Sequence, residues 1–248
     1  MGYSSLAAVL LLLFAGGTNA ARLHRTSHEW AYHQMRAGDS AGYYGISATM
    51  DVYDFSLSGK QYSSAALHIF NEGDGAATSL HVIHIGWEND GLQKTRCVNT
   101  NCAVDFQPEP GAAIALGDVI QPVSQPNGVK QNITIKVIKQ EPTLIGRFPK
   151  SLFNNGGLAD RATHIYFGGV TVSPSPSTDV VPMGSGYLPN DNAMAAASFS
   201  NIQVINQIGQ ASLVTDNLPQ YLSLPNTYAV TPVVNGRFFY GGPFQSHV

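Results

Sequence analysis

Short segments in which apolar and polar residues alternate are the feature that most constrains how this chain can fold. In Tyr44–Phe55 the side chains alternate at every second position, which is the period of a strand buried on one face. A helical period is not sustained, apart from a weak helical or turn pattern over Pro149–Asp160. Eight segments bounded by Gly, Pro or Asn are predicted strands: Tyr44–Phe55, Ala65–Phe70, Ser79–Trp87, Ala112–Ile120, Gln131–Lys139, Thr163–Val172, Ser198–Asn206 and Arg237–Tyr240. The pattern predicts an all-β fold, a two-sheet antiparallel β-sandwich.

The predicted strand Thr163–Val172 places two different sets of side chains on its two faces. Strand geometry puts one set on one face, namely His164, Tyr166, Val170 and Val172. The opposite face carries Ile165, Phe167 and Thr171. A kink is expected at Gly168-Gly169. Before this region, the run Asn71–Gly75 predicts a hairpin turn.

The N-terminal region has the pattern of a secretory signal. An unbroken apolar run, Leu6–Ala15, precedes the small residues Thr18-Asn19-Ala20, so cleavage is expected after Ala20. The alternative, a membrane anchor, is disfavoured because spanning a bilayer takes roughly 20 apolar residues. Residues 1–20 are therefore interpreted as a signal peptide, 21–27 as a short leader and 28–248 as one folded domain. We expect a secreted, extracellular protein that has no membrane contact after cleavage.

Composition adds limits on the binding partners. Charged residues make up 12% of the chain and the net charge is −3, which does not favour binding to nucleic acid. In an oxidising compartment, the closely spaced Cys97 and Cys102 are best interpreted as a local disulfide. Free thiols or half of a metal site are the alternatives. Asn132-Ile133-Thr134 is a sequon, so Asn132 is a predicted glycosylation site.

Eight short motifs follow one another in a fixed order along the chain: His28–Ala31, Gly42–Gly45, Gly91–Thr95 with the two cysteines, Ile114–Gly117, Pro122–Ser124, Met183–Gly186, Phe199–Val204 and Tyr240–Pro243. This ordered set resembles the neprosin family of secreted plant glutamic endopeptidases. The resemblance implies a jelly-roll-like sandwich with a cleft on its concave sheet and a preference for proline-containing substrates. It also implies two catalytic glutamates on neighbouring strands of that sheet.

Both glutamate positions of the family are substituted in this chain. His84 stands in Ile83–Trp87 where the family has one Glu, and Tyr166 stands in Ile165–Gly169 where it has the other. A carboxylate that activates water and a second acidic group are what this chemistry needs. No intact catalytic residue is therefore expected, and the prediction is a secreted neprosin-like protein impaired in peptidase activity. Glu88 shares the face of His84, but the chain has no Glu after Glu141.

Several alternatives stay open from the sequence. The chain could cleave proline-containing peptides through a rearranged site, or it could be a carbohydrate- or wall-binding sandwich. The segments after Trp87 and after Gln140 are shorter than the family pattern, either because strands were lost or because the sequence omits segments. His68, His84 and His164 could converge on zinc, although scattered histidines are the preferred interpretation. We expect no metal and no cofactor; the expected partners are peptides or cell-wall material in the cleft.

Overall fold

The computed structural model describes most of the chain, with gaps. The described residues are 7–15, 26–38, 41–57, 61–74, 80–89, 106–114, 117–139, 145–153, 157–174, 180–189, 194–215 and 217–243. For residues 7–15 and 26 only the backbone is described. Cys97 and Cys102 lie outside the described residues, as does the motif Gly91–Thr95. The disulfide therefore stays a prediction.

Within the described residues, regular structure consists of strands and one short 3₁₀ helix, Lys150–Leu152. The strands are β1 (Ala7–Ala15), β2 (Thr26–Arg36), β3 (Gly45–Asp51), β4 (Tyr62–Asn71), β5 (His81–Asn89), β6 (Gln107–Pro108), β7 (Val119–Ile120), β8 (Asn132–Ile138), β9 (Gly146–Arg147), β10 (His164–Pro174), β11 (Met183–Gly184), β12 (Ala197–Ile205), β13 (Ala211–Leu213), β14 (Gln220–Leu222), β15 (Ala229–Val230) and β16 (Phe238–Gly242). None of the described residues forms a helix long and apolar enough to cross a membrane.

The described strands form two large antiparallel sheets. The first sheet has the order β14-β2-β10-β4-β5-β1-β7, so β10 lies near its centre. The second has the order β11-β16-β12-β3-β8, with β13 added to β12 and β15 added to β16. A separate pair joins β6 to β9. The predicted all-β sandwich of two antiparallel sheets is confirmed.

Strand β10 organises the first sheet because it pairs along almost its whole length on both sides. It pairs with β2 from His164 to Pro174 and with β4 from His164 to Val172. Pairing continues without a register shift through Gly168 and Gly169, so the strand does not end there and both glycines are paired residues of the ladder. A Cβ on Gly168 would lie 2.2 Å from the carbonyl oxygen of Ala31 on β2. Glycine is thus required at this position by the close approach of the neighbouring strand.

The core lies between the two sheets and is rich in aromatic residues. Phe167 of β10 meets Phe199 of β12 with ring centroids 6.4 Å apart. Phe199 in turn stacks on Phe238 of β16 at 5.2 Å and 7° between planes. These side chains are fully buried, and each fully buried Phe stabilises the fold by about 1.5–3 kcal/mol. The face of β10 that carries Ile165 and Phe167 is therefore the inner face of the first sheet.

Most predicted strands are confirmed, with corrections at the margins. Among the described residues, the segment predicted as Ala112–Ile120 is a strand only at Val119–Ile120. The weak helical pattern at Pro149–Asp160 corresponds to the 3₁₀ helix and a turn at residues 157–160. Strand β2 was not predicted. Strand β1 falls inside the predicted signal peptide and pairs with β5 over nine residues.

Candidate functional site

The candidate site lies on the outer face of the first sheet, the face turned away from the second sheet. Pairing registers place every second residue of β5, β4, β10 and β2 on this face. His84 is paired with His68, and His68 is paired with Tyr166. We call His84, His68 and Tyr166 the cross-strand row. It contains both positions at which the resemblance expects catalytic glutamates.

The two expected catalytic positions are not on neighbouring strands in this chain. His84 is on β5 and Tyr166 is on β10, with β4 between them. Because neighbouring strands are about 4.8 Å apart, the two backbones are separated by about 10 Å. The ring of His68 fills the intervening position and contacts the ring of His84, with centroids 4.2 Å apart. The expectation of neighbouring strands is wrong, and His68 occupies the space in which the two groups would share a water molecule.

His68 and His84 are buried and uncharged at neutral pH. Each is 8% exposed. Burial lowers the pKa of His84 to about 4 because it disfavours the imidazolium. Burial, together with the neighbouring His84, also holds the pKa of His68 well below its usual range. Neither imidazole supplies positive charge at the pH of most compartments.

A second feature of the outer face is a continuous line of aromatic rings. Tyr32 of β2 stacks on Tyr166 at 4.9 Å between centroids and 10° between planes. On its other side, Tyr32 stacks on Tyr221 of β14 at 5.0 Å and 25°. Phe70 of β4 meets Tyr166 edge to face at 4.5 Å. We call Tyr221, Tyr32, Tyr166 and Phe70 the aromatic line.

Trp30 connects the aromatic line to the cross-strand row. Its ring meets Tyr32 edge to face at 6.0 Å and lies 5.3 Å from the ring of His68. The space that allows this contact comes from Gly168 and Ala66, small residues paired to each other on the same face. Rings from five strands thus form one surface, on which Tyr221 is 47% exposed.

The phenols of Tyr32 and Tyr166 stay protonated. Burial, and then the neighbouring phenols of Tyr166 and Tyr221, raise the pKa of Tyr32 to about 12. Burial, followed by the charge of Glu72, raises the pKa of Tyr166. A phenol with a raised pKa can donate a hydrogen bond but is a poor proton source. Tyr166 therefore does not replace an acidic carboxyl group.

The carboxylates of the described residues do not rebuild a two-acid site around the cross-strand row. Glu72 follows β4, and its Oε1 atom lies 3.9 Å from Nε2 of His164. It comes four residues after His68, a distance of about 13 Å along a strand. Glu88 shares the outer face with His84 but is paired with Ser64, at the far side of Gly86. The acids nearest to the row thus flank it at opposite ends.

The sequence also suggests a zinc site formed by three histidines and a glycosylation site at Asn132. His164 stacks on Phe70 at 5.3 Å and does not join the two other histidines, so the three do not converge. In the described part of the chain no three His, Cys, Asp or Glu residues are grouped to hold a metal ion. Asn132 begins the edge strand β8 and is exposed. Asn132 is therefore accessible to solvent, and its glycosylation stays a prediction.

The fold and the outer-face surface together define the class of protein. They describe an antiparallel β-sandwich whose candidate site lies across the strands of one sheet. The family model named Neprosin matches residues 74–243, more than two thirds of the chain, so the chain belongs to the neprosin family, a peptidase-like family. No curated protein matches the chain.

The sequence reasoning missed most of the residues that surround His84 and Tyr166. His68 was considered only as a metal ligand, and Trp30, Tyr32, Phe70 and Tyr221 were not singled out. One signal was available in β2, where His28, Trp30, Tyr32 and Gln34 alternate with residues of the inner face. A strand assignment there would have placed these side chains on one face. Their closeness to Tyr166 depends on the pairing of β2 with β10, which no local pattern specifies.

Proposed function

We propose that this neprosin-family chain is a secreted protein that binds extended, proline-containing peptides on its outer face and does not hydrolyse them. The cross-strand row carries the proposal. It has histidine and tyrosine where the resemblance expects catalytic glutamates, with a third side chain between them. The aromatic rings of the outer face are proposed to bind the peptide, while the catalytic glutamates of the family are replaced in this chain.

The chemistry of the row supports loss of hydrolysis. Peptide hydrolysis by this family's route needs a base for water and an acid for the leaving amine. His84 has a pKa of about 4 and could accept a proton only by forming a buried cation beside His68. The raised pKa of Tyr166 makes its phenol a weaker acid. His84 does not readily accept a proton and Tyr166 does not readily donate one, so this pair should give little catalysis of peptide hydrolysis.

The aromatic line supports peptide binding. Grooves lined by aromatic side chains recognise proline-rich segments because the polyproline II conformation is already ordered before binding. Tyr221, Tyr32 and Tyr166 stack in sequence across three strands. The phenols of Tyr32 and Tyr166 remain protonated because their pKa values are raised, and they can donate hydrogen bonds to peptide carbonyl groups. The aromatic line therefore offers apolar contact to the proline rings and hydrogen-bond donors to the peptide carbonyl groups. Such donors suit a proline-rich segment, which has few N–H groups of its own.

The first experiment measures cleavage and binding on the same preparation. The purified chain is incubated with a synthetic proline-rich peptide at acid and neutral pH, and products are followed by mass spectrometry. We expect no cleavage, together with binding in the micromolar range by calorimetry. Turnover that disappears in His84→Ala would overturn the loss of hydrolysis. Absence of binding would overturn the binding role.

A set of variants localises the binding. Tyr221 is 47% exposed, so Tyr221→Ala removes part of the aromatic line with little effect on folding. We expect at least a fivefold weaker affinity for the peptide, since a stacked aromatic contact contributes about 1 kcal/mol. Tyr44→Ala, which removes a tyrosine outside the line, is the matched control. Equal affinities for both variants would place the peptide elsewhere.

Carbohydrate binding is the second candidate function, and the aromatic line favours it also. Stacked rings with accessible faces offer flat apolar surfaces, and their phenols offer hydrogen-bond donors. A pull-down with wall polysaccharide, repeated with Tyr221→Ala, tests it. Binding of polysaccharide without binding of the proline-rich peptide would replace the first candidate by the second.

The contact between Glu72 and His164 is the candidate for a rearranged peptidase site. The two side chains lie 3.9 Å apart, next to Tyr166. Theirs is the one carboxylate–imidazole contact at this end of the described outer face. If cleavage occurs and is lost in Glu72→Gln, the chain is an active endopeptidase. Restoring Glu at both 84 and 166 should create activity only if the native chain is impaired.

A further inference from the structure

We propose that the space between the two sheets binds a long-chain fatty acid, at a site separate from the outer face. Described residues line a cavity of about 1220 Å³ on the inner side of β4, β5 and β10. Ile69, Ile83 and Ile165 form one wall, and they point away from His68, His84 and Tyr166 because side chains alternate along each strand. The proposal therefore does not depend on the peptide-binding role.

The walls of the cavity are apolar on both sides. Opposite the first sheet, Ile133, Ile135 and Val137 of β8 face the cavity and are only partly buried. The aromatic rings of Phe106, Phe148 and Phe153 line it as well. Small-molecule sites usually measure about 300–1,000 Å³, so this cavity has room for a long flexible chain.

The polar residues of the cavity favour an anion. Four cationic residues border it, together with two carboxylates, which leaves a local surplus of positive charge in a chain whose net charge is −3. The cations are Lys139, Arg147, Lys150 and Arg161, and the carboxylates are Asp118 and Asp160. Some of this charge is already paired, since Lys139 and Arg161 each contact Asp160, at 3.5 and 3.3 Å, and Arg147 contacts Glu109 at 3.8 Å.

Arg161 is a partly exposed cation on the lining of the cavity. Its Nη1 atom donates to Asp160, and its side chain is 34% exposed. A guanidinium binds carboxylate through charge-assisted hydrogen bonds. The carboxylate of a fatty acid would accept hydrogen bonds from the exposed part of this guanidinium while its chain lies between Ile135 and Ile83. Apolar walls and a cationic border together define an anionic single-chain amphiphile.

Calorimetry on the full chain tests the proposal with three ligands. Oleate should bind with one equivalent per chain and micromolar affinity. Hexanoate, which has the same headgroup and a short chain, should bind at least tenfold more weakly. Oleyl alcohol, which has the chain without the charge, should also bind about tenfold more weakly, because it lacks the charge-assisted contact. No saturable binding of oleate, or binding of many equivalents as to a detergent, overturns the proposal.

Paired variants then separate the chain site from the headgroup site. Val137→Trp fills the cavity and should weaken oleate at least tenfold, while Val129→Trp, at a residue 69% exposed outside the cavity, should not. Arg161→Met should remove the preference for oleate over oleyl alcohol, while Arg36→Met should keep it. Circular dichroism establishes whether each variant folds. If a variant does not fold, the ligand series on the unmodified chain still tests the proposal. Unchanged oleate affinity in Val137→Trp overturns the assignment of the site.

Discussion

At the scale of single residues, the low pKa of His84 links the stability of the fold to pH. The unfolded chain binds a proton on this residue near pH 6.5, whereas the folded chain binds it only near pH 4. Since the unfolded state binds more protons in this window, the free energy of unfolding falls as the pH drops from 6.5 to 4. The full loss from His84 is about 3 kcal/mol, from a pKa shift of about 2.5.

His84→Leu should therefore flatten the dependence of stability on pH. We expect the free energy of unfolding, measured by urea titration at several pH values between 7 and 4, to fall less steeply in the variant. His28→Leu changes an exposed histidine of β2 and is the matched control. A variant with an unchanged slope would show that His84 binds its proton over the same pH range in the folded and unfolded chain.

A buried carboxylate, Asp51, depends on Lys130. The Asp51 carboxylate accepts hydrogen bonds from the backbone and hydroxyl of Ser198, at 2.9 and 3.0 Å, and lies 3.7 Å from Nζ of Lys130. Burial nevertheless raises the pKa of Asp51, because removal from water outweighs these contacts. The lysine also donates to the hydroxyl of Tyr53 and to the carbonyl of Ala196.

Lys130→Met should destabilise the fold by about 2–4 kcal/mol at neutral pH, because it leaves the buried charge unpaired. The loss should shrink at acid pH, since loss of the lysine raises the pKa of Asp51 further and protonation removes the charge. Adding Asp51→Asn should restore part of the stability. Lys139→Met removes an exposed pair and should change stability by less than about 0.5 kcal/mol. Similar losses for both lysines would contradict this account.

The site residues show which single-residue inferences a sequence supports. The faces of His164, Tyr166, Ile165 and Phe167 follow from alternation alone and are confirmed by the pairing. In Tyr44–Phe55, Asp51 lies at the positions that alternate with Ile46, Ala48 and Met50, so alternation predicts an exposed side chain, yet Asp51 is 7% exposed. Its burial depends on Ser198, which is 147 residues away in the chain. Contacts of this kind have no local pattern.

At the scale of elements, the closeness of β2 to β10 makes Gly168 sensitive to substitution. A Cβ there would meet backbone atoms of Ala31 and Tyr32 at 2.2 and 2.6 Å, and strand backbones cannot move without breaking the ladder. Gly168→Ala should therefore cost at least about 2 kcal/mol. The measurement is thermal unfolding followed by circular dichroism.

Gly38→Ala provides the control for that comparison. A Cβ on Gly38 has no other atom within 4 Å, so the change should be neutral or slightly stabilising. Gly169 gives an intermediate case, because its nearest neighbours are side-chain atoms of Met183, which can move. Equal stability of Gly168→Ala and Gly38→Ala would contradict the tight packing of β2 on β10.

Strand prediction succeeded where one face is buried and the other is polar, as in β3 and β8. It failed for β2. The outer face of this strand carries Trp30 and Tyr32 and the inner face carries His33, so neither face is purely polar or purely apolar. The polar inner residue His33 is accommodated by a hydrogen bond between its Nε2 atom and the carbonyl of Thr231, at 2.8 Å. Strand order likewise could not be read from the sequence, since β2, β10 and β4 are far apart in the chain.

At the scale of the whole molecule, residues 7–15 have two roles that exclude each other, a strand of the first sheet and part of a signal peptide. Strand β1 completes the first sheet by pairing with β5, yet the same residues form the predicted signal peptide. If the chain is exported and cleaved, residues 7–15 are absent and β5 becomes an unpaired edge next to His84. We expect cleavage, so that the secreted chain begins at Ala21.

Intact mass and N-terminal sequencing of the secreted protein measure this directly. Secretion with residues 7–15 retained would contradict the signal peptide and make β1 a permanent part of the sheet. A chain that is cleaved and still folded would show that β5 tolerates an open edge. The sandwich class itself was predictable from alternation and turn residues, whereas the closure of its edges was not.

The two tryptophans of the chain give separate optical signals, because they lie in unlike surroundings. Trp87 is fully buried, and its indole N–H donates to the carbonyl of Asp51 at 2.9 Å, so its fluorescence reports whether the interior is intact. Trp30 lies among the rings of the outer face, so its fluorescence should change when a ligand binds there. A ligand titration followed by tryptophan fluorescence, in Trp30→Phe and in the unmodified chain, would thus distinguish binding on the outer face from unfolding without any added dye.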